Sequence, residues 1–268
     1  DLMSHLSQRL AQLKSENRAA FIAYLPAGFP TVEKSKAAIE VLVKNGVDIV
    51  EIGFPYSDPI MDGPIIQEAA DIALANGTGA SEVLEILGFT TNLKVPAVVM
   101  TYWNPIEQYG ISKFADAIKS ANGSGVITPD LSLEEAKPWI SESNRAGIDN
   151  IFVAAPSSLP ERLNHVASAC SGFVYAASLM GVTGTRTSVS SSAKDLVSRI
   201  RESVQTPVCV GLGVSTPEQA KEVASYADGV IVGSALIKVL LEQSDFETGL
   251  KELANLTKSL AEGIRQAR

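Results

Sequence analysis

Eight short apolar, β-branched runs recur along this chain, each followed by a stretch of helical periodicity, and that alternation narrows the choice of fold more than any other feature. The runs begin at Phe21 (FIAYLPAG), Val47 (VDIVEIGF), Val95 (VPAVVMTYW), Gly125 (GVITPD), Asn150 (NIFVAAP), Phe173 (FVYAAS), Pro207 (PVCVGLG) and Gly229 (GVIVGS). They are continuously apolar instead of alternating, which is the pattern of strands buried on both faces in a parallel sheet covered by helices. Residues 31–46 illustrate the intervening helices: Ala37, Ile39, Val41, Leu42 and Val43 gather on one side and Gly46 supplies the stop. Eight such units predict an α/β fold of the (β/α)8 TIM-barrel type. A doubly wound open sheet would need a glycine-rich dinucleotide turn after its first strand, and Pro26-Ala27-Gly28-Phe29-Pro30 is no such turn. Two parts exceed the eight units: an extra N-terminal helix around residues 4–14 and added helical length over residues 64–93, within the loop that follows the second strand. Both read as decorations, so residues 1–268 are expected to form a single barrel domain.

Composition excludes several classes of function. The 22 basic against 30 acidic residues give a net charge of −8, and no basic run is long enough to track a phosphate backbone, so nucleic acid is not an expected partner. No apolar run reaches the length of a membrane helix, and residues 1–18 alternate charged and apolar side chains where a signal peptide would carry an apolar centre. Cys170 and Cys209 have no metal-ligand spacing and are too few for a disulfide framework. A soluble protein of the reducing cytoplasm is expected.

In a barrel the active site lies at the C-terminal ends of the strands and in the loops that follow. Glu51 stands inside the second apolar run, where a carboxylate is costly unless partnered or protonated. It is either a core carboxylate tied into a structural network or a catalytic acid/base, and buried acids with displaced pKa values favour the second. Asp62, eleven positions on, lies in a Gly/Pro-bounded loop on the same rim, where a turn or capping role competes with a functional one. Two carboxylates in different environments can divide proton-transfer work. Late in the chain, Gly181-Val182-Thr183-Gly184, Gly211-Leu212-Gly213 and Gly233-Ser234 follow three consecutive strands, the last opening a helix. That pattern predicts a terminal phosphate held by backbone N–H groups without a lysine. Tyr175 is open to two readings, a core aromatic or a hydroxyl in the barrel mouth. His5 and His165 fall on helices away from the rim, so neither a Ser-His-Asp triad nor a metal site has support.

The stretch Glu51-Ile52-Gly53-Phe54-Pro55-Tyr56-Ser57-Asp58-Pro59, continuing through Asp62-Gly63-Pro64 to Ile66-Gln67, closely resembles the signature of the tryptophan synthase alpha-subunit family. The later glycine segments are similar to that family's in the same order, and the resemblance covers nearly the whole chain. It implies a carbon-carbon lyase of tryptophan biosynthesis that cleaves indole-3-glycerol phosphate by a retro-aldol reaction to indole and glyceraldehyde 3-phosphate. Glu51 is then the general acid/base, Asp62 the group that accepts the indole N–H and stabilises the indolenine, and Tyr175 a positioning residue. The phosphate site maps to Gly184, Gly213, Gly233 and Ser234. Thr183 belongs to a lid after the sixth strand that contacts Asp62 on closure, in a segment rich in small and polar residues over 184–192. Tyr24, Met100, Ile127, Pro129, Val153 and Leu212 line the indole pocket. The resemblance also implies a partner, a beta subunit carrying pyridoxal phosphate in an alpha2beta2 complex, with no cofactor in this chain. The expected contact faces are residues 54–59, Asn104-Pro105 and residues 129–131. Here Thr128 and Ser132 stand where Val and Pro are frequent in the family.

The same residues are open to other readings. A free-standing lyase that releases indole as an end product needs the same groups, whereas a catalytically silent subunit needs neither carboxylate. A different phosphate-binding barrel is open on fold alone, but a Schiff-base aldolase would require a strand lysine that none of the eight runs contains.

Overall fold

The computed structural model describes residues 3–58, 61–183, 186–188 and 191–268, with 181–183, 186–188 and 191 described by their backbone alone. Its strands, in chain order, are β1 (Ala20–Pro26), β2 (Ile49–Gly53), β3 (Ala97–Met100), β4 (Gly125–Ile127), β5 (Asp149–Ile151), β6 (Val153–Ala154), β7 (Val174–Ala177), β8 (Gly181–Thr183), β9 (Arg186–Ser188), β10 (Val208–Gly211) and β11 (Gly229–Val232). Nine of them form one sheet in the order β5-β4-β3-β2-β1-β11-β10-β7-β6, all neighbours parallel. The two ends of that order, β5 and β6, are consecutive in the chain and separated only by Phe152. They are one strand with a break, so the sheet closes on itself and the eight runs become the eight staves of a (β/α)8 barrel. The runs starting at Val47 and Val95 begin two residues before their strands, and both valines are already buried in the layer between sheet and helices.

Alternation along each strand divides the core in two. Ala20, Ile22, Ile49, Val98, Ile127, Ile151, Phe173, Cys209 and Ile231 fill the barrel interior. Their neighbours Phe21, Ala23, Val50, Ile52, Val99, Val126 and Val210 pack outward against the helices. The predicted extra N-terminal helix is His5–Ser15, capped by the Ser4 hydroxyl, and its Leu6, Leu10 and Leu13 join the interior cluster. The helix therefore plugs the bottom of the barrel, which the strands alone leave open.

Three aspartates fasten that end. Asp48, 5% exposed, accepts from Arg9, from both terminal nitrogens of Arg18 and from the Phe21 N–H at 2.8–3.0 Å. Asp149 accepts from the Ser4 hydroxyl at 2.6 Å, and Asp228 from the Val208 N–H at 2.8 Å. Each of these carboxylates at the start of a strand is thus met by arginine, a backbone N–H or a serine hydroxyl.

The added length between β2 and β3 resolves into two helices, Pro64–Ala75 and Ala80–Asn92, with Gly77 at a φ of +84° in the turn between them. The segment after β7, expected to carry a lid, contains an antiparallel ladder in which Gly181, Val182 and Thr183 pair with Ser188, Thr187 and Arg186. The β-branched Val182, Thr183 and Thr187 suit an extended backbone, and that preference was hidden by the surrounding glycine and serine. Among the described residues no helix is long and apolar enough to cross a membrane.

Candidate active site

The upper half of the barrel interior is built by strand register. Ile49 faces inward and Val50 and Ile52 outward, so Glu51 faces inward. Tyr24 of β1 is its register partner on one side and the interior Val98 on the other. Glu51 is fully buried, and neither carboxyl oxygen has a hydrogen-bond partner among the described residues. Burial alone pushes its pKa up to about 8, so the group is a neutral acid at pH 7. The network that would make it a structural core carboxylate is not there.

Asp62 sits half-buried at the end of the loop after β2. It is not the cap of the next helix: Gly63 holds that position, without a side-chain cap bond. Its backbone carbonyl accepts from the Gln67 carboxamide at 2.5 Å. Burial raises the Asp62 pKa, and a side-chain hydrogen bond from Tyr102 opposes the rise.

Three tyrosines close the ring around the carboxylates. Burial holds the Tyr24 hydroxyl well above its usual pKa, reinforced by Asp62, Glu51, Tyr102 and Tyr175 in that order. Tyr175 is raised by burial, then by Glu51, Cys209 and Asp62. Both phenols are therefore neutral donors facing both acids. Their rings fit because the next inward position on the adjacent strand is glycine. A Cβ on Gly53 would meet the Tyr24 hydroxyl at 2.2 Å, and one on Gly211 would meet the Tyr175 hydroxyl at 2.6 Å. Of the two readings of Tyr175, the mouth-facing one matches this geometry.

Across the mouth, β10 and β11 are parallel neighbours, and Gly213 and Gly233 follow their C-terminal ends. Gly213 takes a φ of +87°, with open space where a side chain would be. Gly233 caps the helix Ser234–Glu242, which has neither a side-chain cap bond nor an acidic residue in its first turn. A helix N-terminus left without a capping side chain suits an anion. Gly184 lies outside the described residues. Thr183 is seen as backbone paired to Arg186.

Of the expected pocket residues, Ile127 is buried in the interior cluster and Met100 and Val153 pack against it. Pro129 is half-buried just beyond β4. Leu212, 5% exposed, packs in the sheet–helix layer, because its neighbour Gly211 takes the inward position.

Sequence reasoning missed Tyr102. It follows β3 by two residues, is 6% exposed, and its ring lies 5.6 Å from that of Tyr56, whose hydroxyl accepts from Asn104 at 2.9 Å. The rule that rim residues follow strand ends applies to Tyr102 as it does to Asp62. Among the described residues no group of three His, Cys, Asp or Glu is placed to hold a metal ion.

The chain has full-length relatives among known proteins. The family described as "Tryptophan synthase alpha chain" matches residues 10–265. The tryptophan synthase alpha chain of Thermobifida fusca (strain YX) is 51% identical over 268 residues, covering 99% of this chain and 99% of that protein. That of Streptomyces coelicolor is 50% identical over 261 residues, covering 97% and 96%. Among solved structures, tryptophan synthase from M. tuberculosis in its aminoacrylate-bound form superposes with a TM-score of 0.89 at 45% identity, covering 98% of this chain and 100% of that one. Tryptophan synthase subunit alpha from Legionella pneumophila str. Paris gives 0.89 at 32% identity, covering 99% and 100%. With its fold, the family match over residues 10–265 and its full-length relatives in accord, the chain belongs to the tryptophan synthase alpha chain family.

Proposed function

We propose that this chain is the alpha subunit of a tryptophan synthase and cleaves indole-3-glycerol phosphate to indole and glyceraldehyde 3-phosphate. The observation that carries the mechanism is the buried, unpartnered Glu51 carboxyl in the same ring of side chains as Asp62. Retro-aldol cleavage of an indole needs a proton on the ring carbon that bears the side chain, because the bond to be broken leaves its electron pair there. Glu51, held neutral by burial, supplies that proton and generates an indolenine. Asp62 accepts the ring N–H and stabilises the positive charge that develops on nitrogen. The Glu51 carboxylate then takes the proton of the side-chain hydroxyl adjacent to the ring. The O–H electrons become the aldehyde C=O, the C–C pair returns to the ring, and indole regains its aromaticity. The proton given equals the proton taken, so Glu51 ends the cycle neutral.

Tyr175 positions the substrate from the opposite side. Gly213, Gly233 and Ser234 hold the terminal phosphate through backbone N–H groups, joined by Gly184. Tyr24, Met100, Ile127, Pro129 and Val153 bound the indole ring, with Leu212 backing the wall from the outer layer. Thr183 reaches Asp62 from the lid.

The partner is a beta subunit, in an alpha2beta2 assembly, that receives indole and brings pyridoxal phosphate; this chain contributes no cofactor of its own. Residues 54–59, Asn104-Pro105 and residues 129–131 form the docking face, where Asn104 and Tyr56 are already bonded. Two free, buried cysteines fit a cytoplasmic setting, and the closed barrel with its plugging helix fits a single domain over residues 1–268. Glu51→Gln is the direct test: it keeps size and burial but has no proton to exchange, so indole release falls by at least about a thousandfold. Turnover near that of the unmodified chain would overturn the assignment.

A further inference from the structure

The Tyr102 phenol has one hydrogen to give and one partner already giving to it. The Met61 backbone N–H donates to its oxygen at 3.0 Å. The phenol proton is then free for an acceptor, and a side-chain hydrogen bond from Tyr102 lowers the Asp62 pKa against the rise from burial. The ring has little freedom to aim elsewhere. It is almost fully buried, it opens the helix Trp103–Tyr109 as its N-cap, and it is tilted at 39° against Tyr56.

We infer that Tyr102 is a positioning residue for Asp62: one hydroxyl ties both the backbone before Asp62 and its carboxylate to the end of β3. The inference rests on the lyase reading, which requires an ionised Asp62 aimed at the ring nitrogen. Among the described residues, the groups facing Asp62 are Tyr24 from β1, Glu51 from β2, Tyr102 after β3 and Tyr175 from β7, with Asp130 beyond β4 acting on Tyr102. No described cation is among them, and burial raises the pKa of Glu51 as it does that of Asp62. A hydroxyl that donates to the charged form thus opposes the rise that burial imposes on the half-buried carboxyl. Tyr102 stays neutral throughout, its own pKa pushed up to about 12, chiefly by burial.

The test uses the full chain with Tyr102→Phe, which retains the ring, the Tyr56 contact and the helix start. With [4-13C]aspartate labelling and the Asp62 resonance assigned by its loss in Asp62→Asn, carboxyl titration of the free protein reports Asp62 without any turnover. The Asp62 pKa is expected to rise by about one unit in Tyr102→Phe. The acid limb of kcat/KM moves to higher pH by the same amount, so that at any pH well down that limb kcat/KM falls about tenfold while KM changes less than about twofold. A merely structural role for the ring would move neither the titration nor the acid limb. An unshifted Asp62 titration in a chain whose unmodified form releases indole overturns the inference. A shifted titration in a chain whose unmodified form releases no indole overturns the lyase reading instead, and leaves the Tyr102–Asp62 bond standing.

Discussion

The Tyr175 hydroxyl lies 2.6 Å from the point at which a Gly211 side chain would begin. The two residues are on neighbouring strands, where Tyr175 is registered with Cys209 and Gly211 with Ala177, so the ring leans upward over the glycine. The fit is mutual: the ring needs the missing side chain. Gly211→Ala is therefore expected to displace Tyr175 and lower kcat/KM about tenfold, an overpacking cost of about 1–3 kcal/mol. Tyr175→Phe in the same chain removes the nearest atom and leaves ring carbons at 3.0 Å. The double variant is expected to be more stable than Gly211→Ala alone, as measured by thermal melting, and equal melting temperatures would contradict the mutual fit.

Glu51 sets a pH dependence of stability. Its folded pKa is raised from 4.5 to about 8, so between those values the folded state holds a proton that the unfolded chain has released. Stability from this group is fully present below the unfolded pKa and falls as pH rises toward 8. Glu51→Gln removes the penalty. The variant is expected to gain stability over the parent by a few kcal/mol at pH 8–9 and to gain much less at pH 5, by urea unfolding at both pH values. A gain independent of pH would show that Glu51 is not neutral in the folded chain.

Gly213 and Gly233 respond to substitution for different reasons. At Gly213 a side chain meets nothing within 4 Å, but the φ of +87° is strained for any L-residue. Gly213→Ala is expected to cost about 1–2 kcal/mol through the backbone alone and to raise KM more than it lowers kcat. At Gly233 the φ of −132° is ordinary and the added Cβ would press on Tyr24 at 3.2 Å. Gly233→Ala is expected to lower kcat as well as raise KM. Steady-state kinetics on both variants separates the two effects.

The bottom of the barrel governs stability without touching the chemistry. Asp48→Asn leaves Arg9 and Arg18 without their shared carboxylate, Asp48 being only 4% exposed at its side chain. Unfolding free energy is expected to drop by about 2–4 kcal/mol with kcat at 25 °C unchanged. A fall in kcat with stability intact would mean that the two ends of the barrel are coupled.

Much of this was legible in the sequence because burial on both faces writes itself as continuous apolar runs, and Glu51 interrupts one of them. The eight staves and the oddity of Glu51 follow from that alone, whereas the N-terminal helix reads only as a decoration and Asp62 is read from its Gly/Pro-bounded loop. The break at Phe152 and the hairpin after β7 did not, since both depend on pairing partners distant in the chain or masked by small residues. Tyr102 was passed over because a tyrosine after a strand reads as packing until the Met61 N–H and the Asp62 carboxylate are seen beside it. Gly53 and Gly211 are similar cases: their purpose is the space that Tyr24 and Tyr175 occupy, which sequence order does not reveal.

The central claim is that this barrel breaks a carbon–carbon bond with the proton that Glu51 holds. The most direct test is indole release from indole-3-glycerol phosphate by the purified chain, with and without a tryptophan synthase beta subunit, beside Glu51→Gln. The expected result is slow release that rises strongly with the beta subunit and disappears in the variant. Release by Glu51→Gln at the rate of the unmodified chain, or none from the unmodified chain under either condition, would contradict the account.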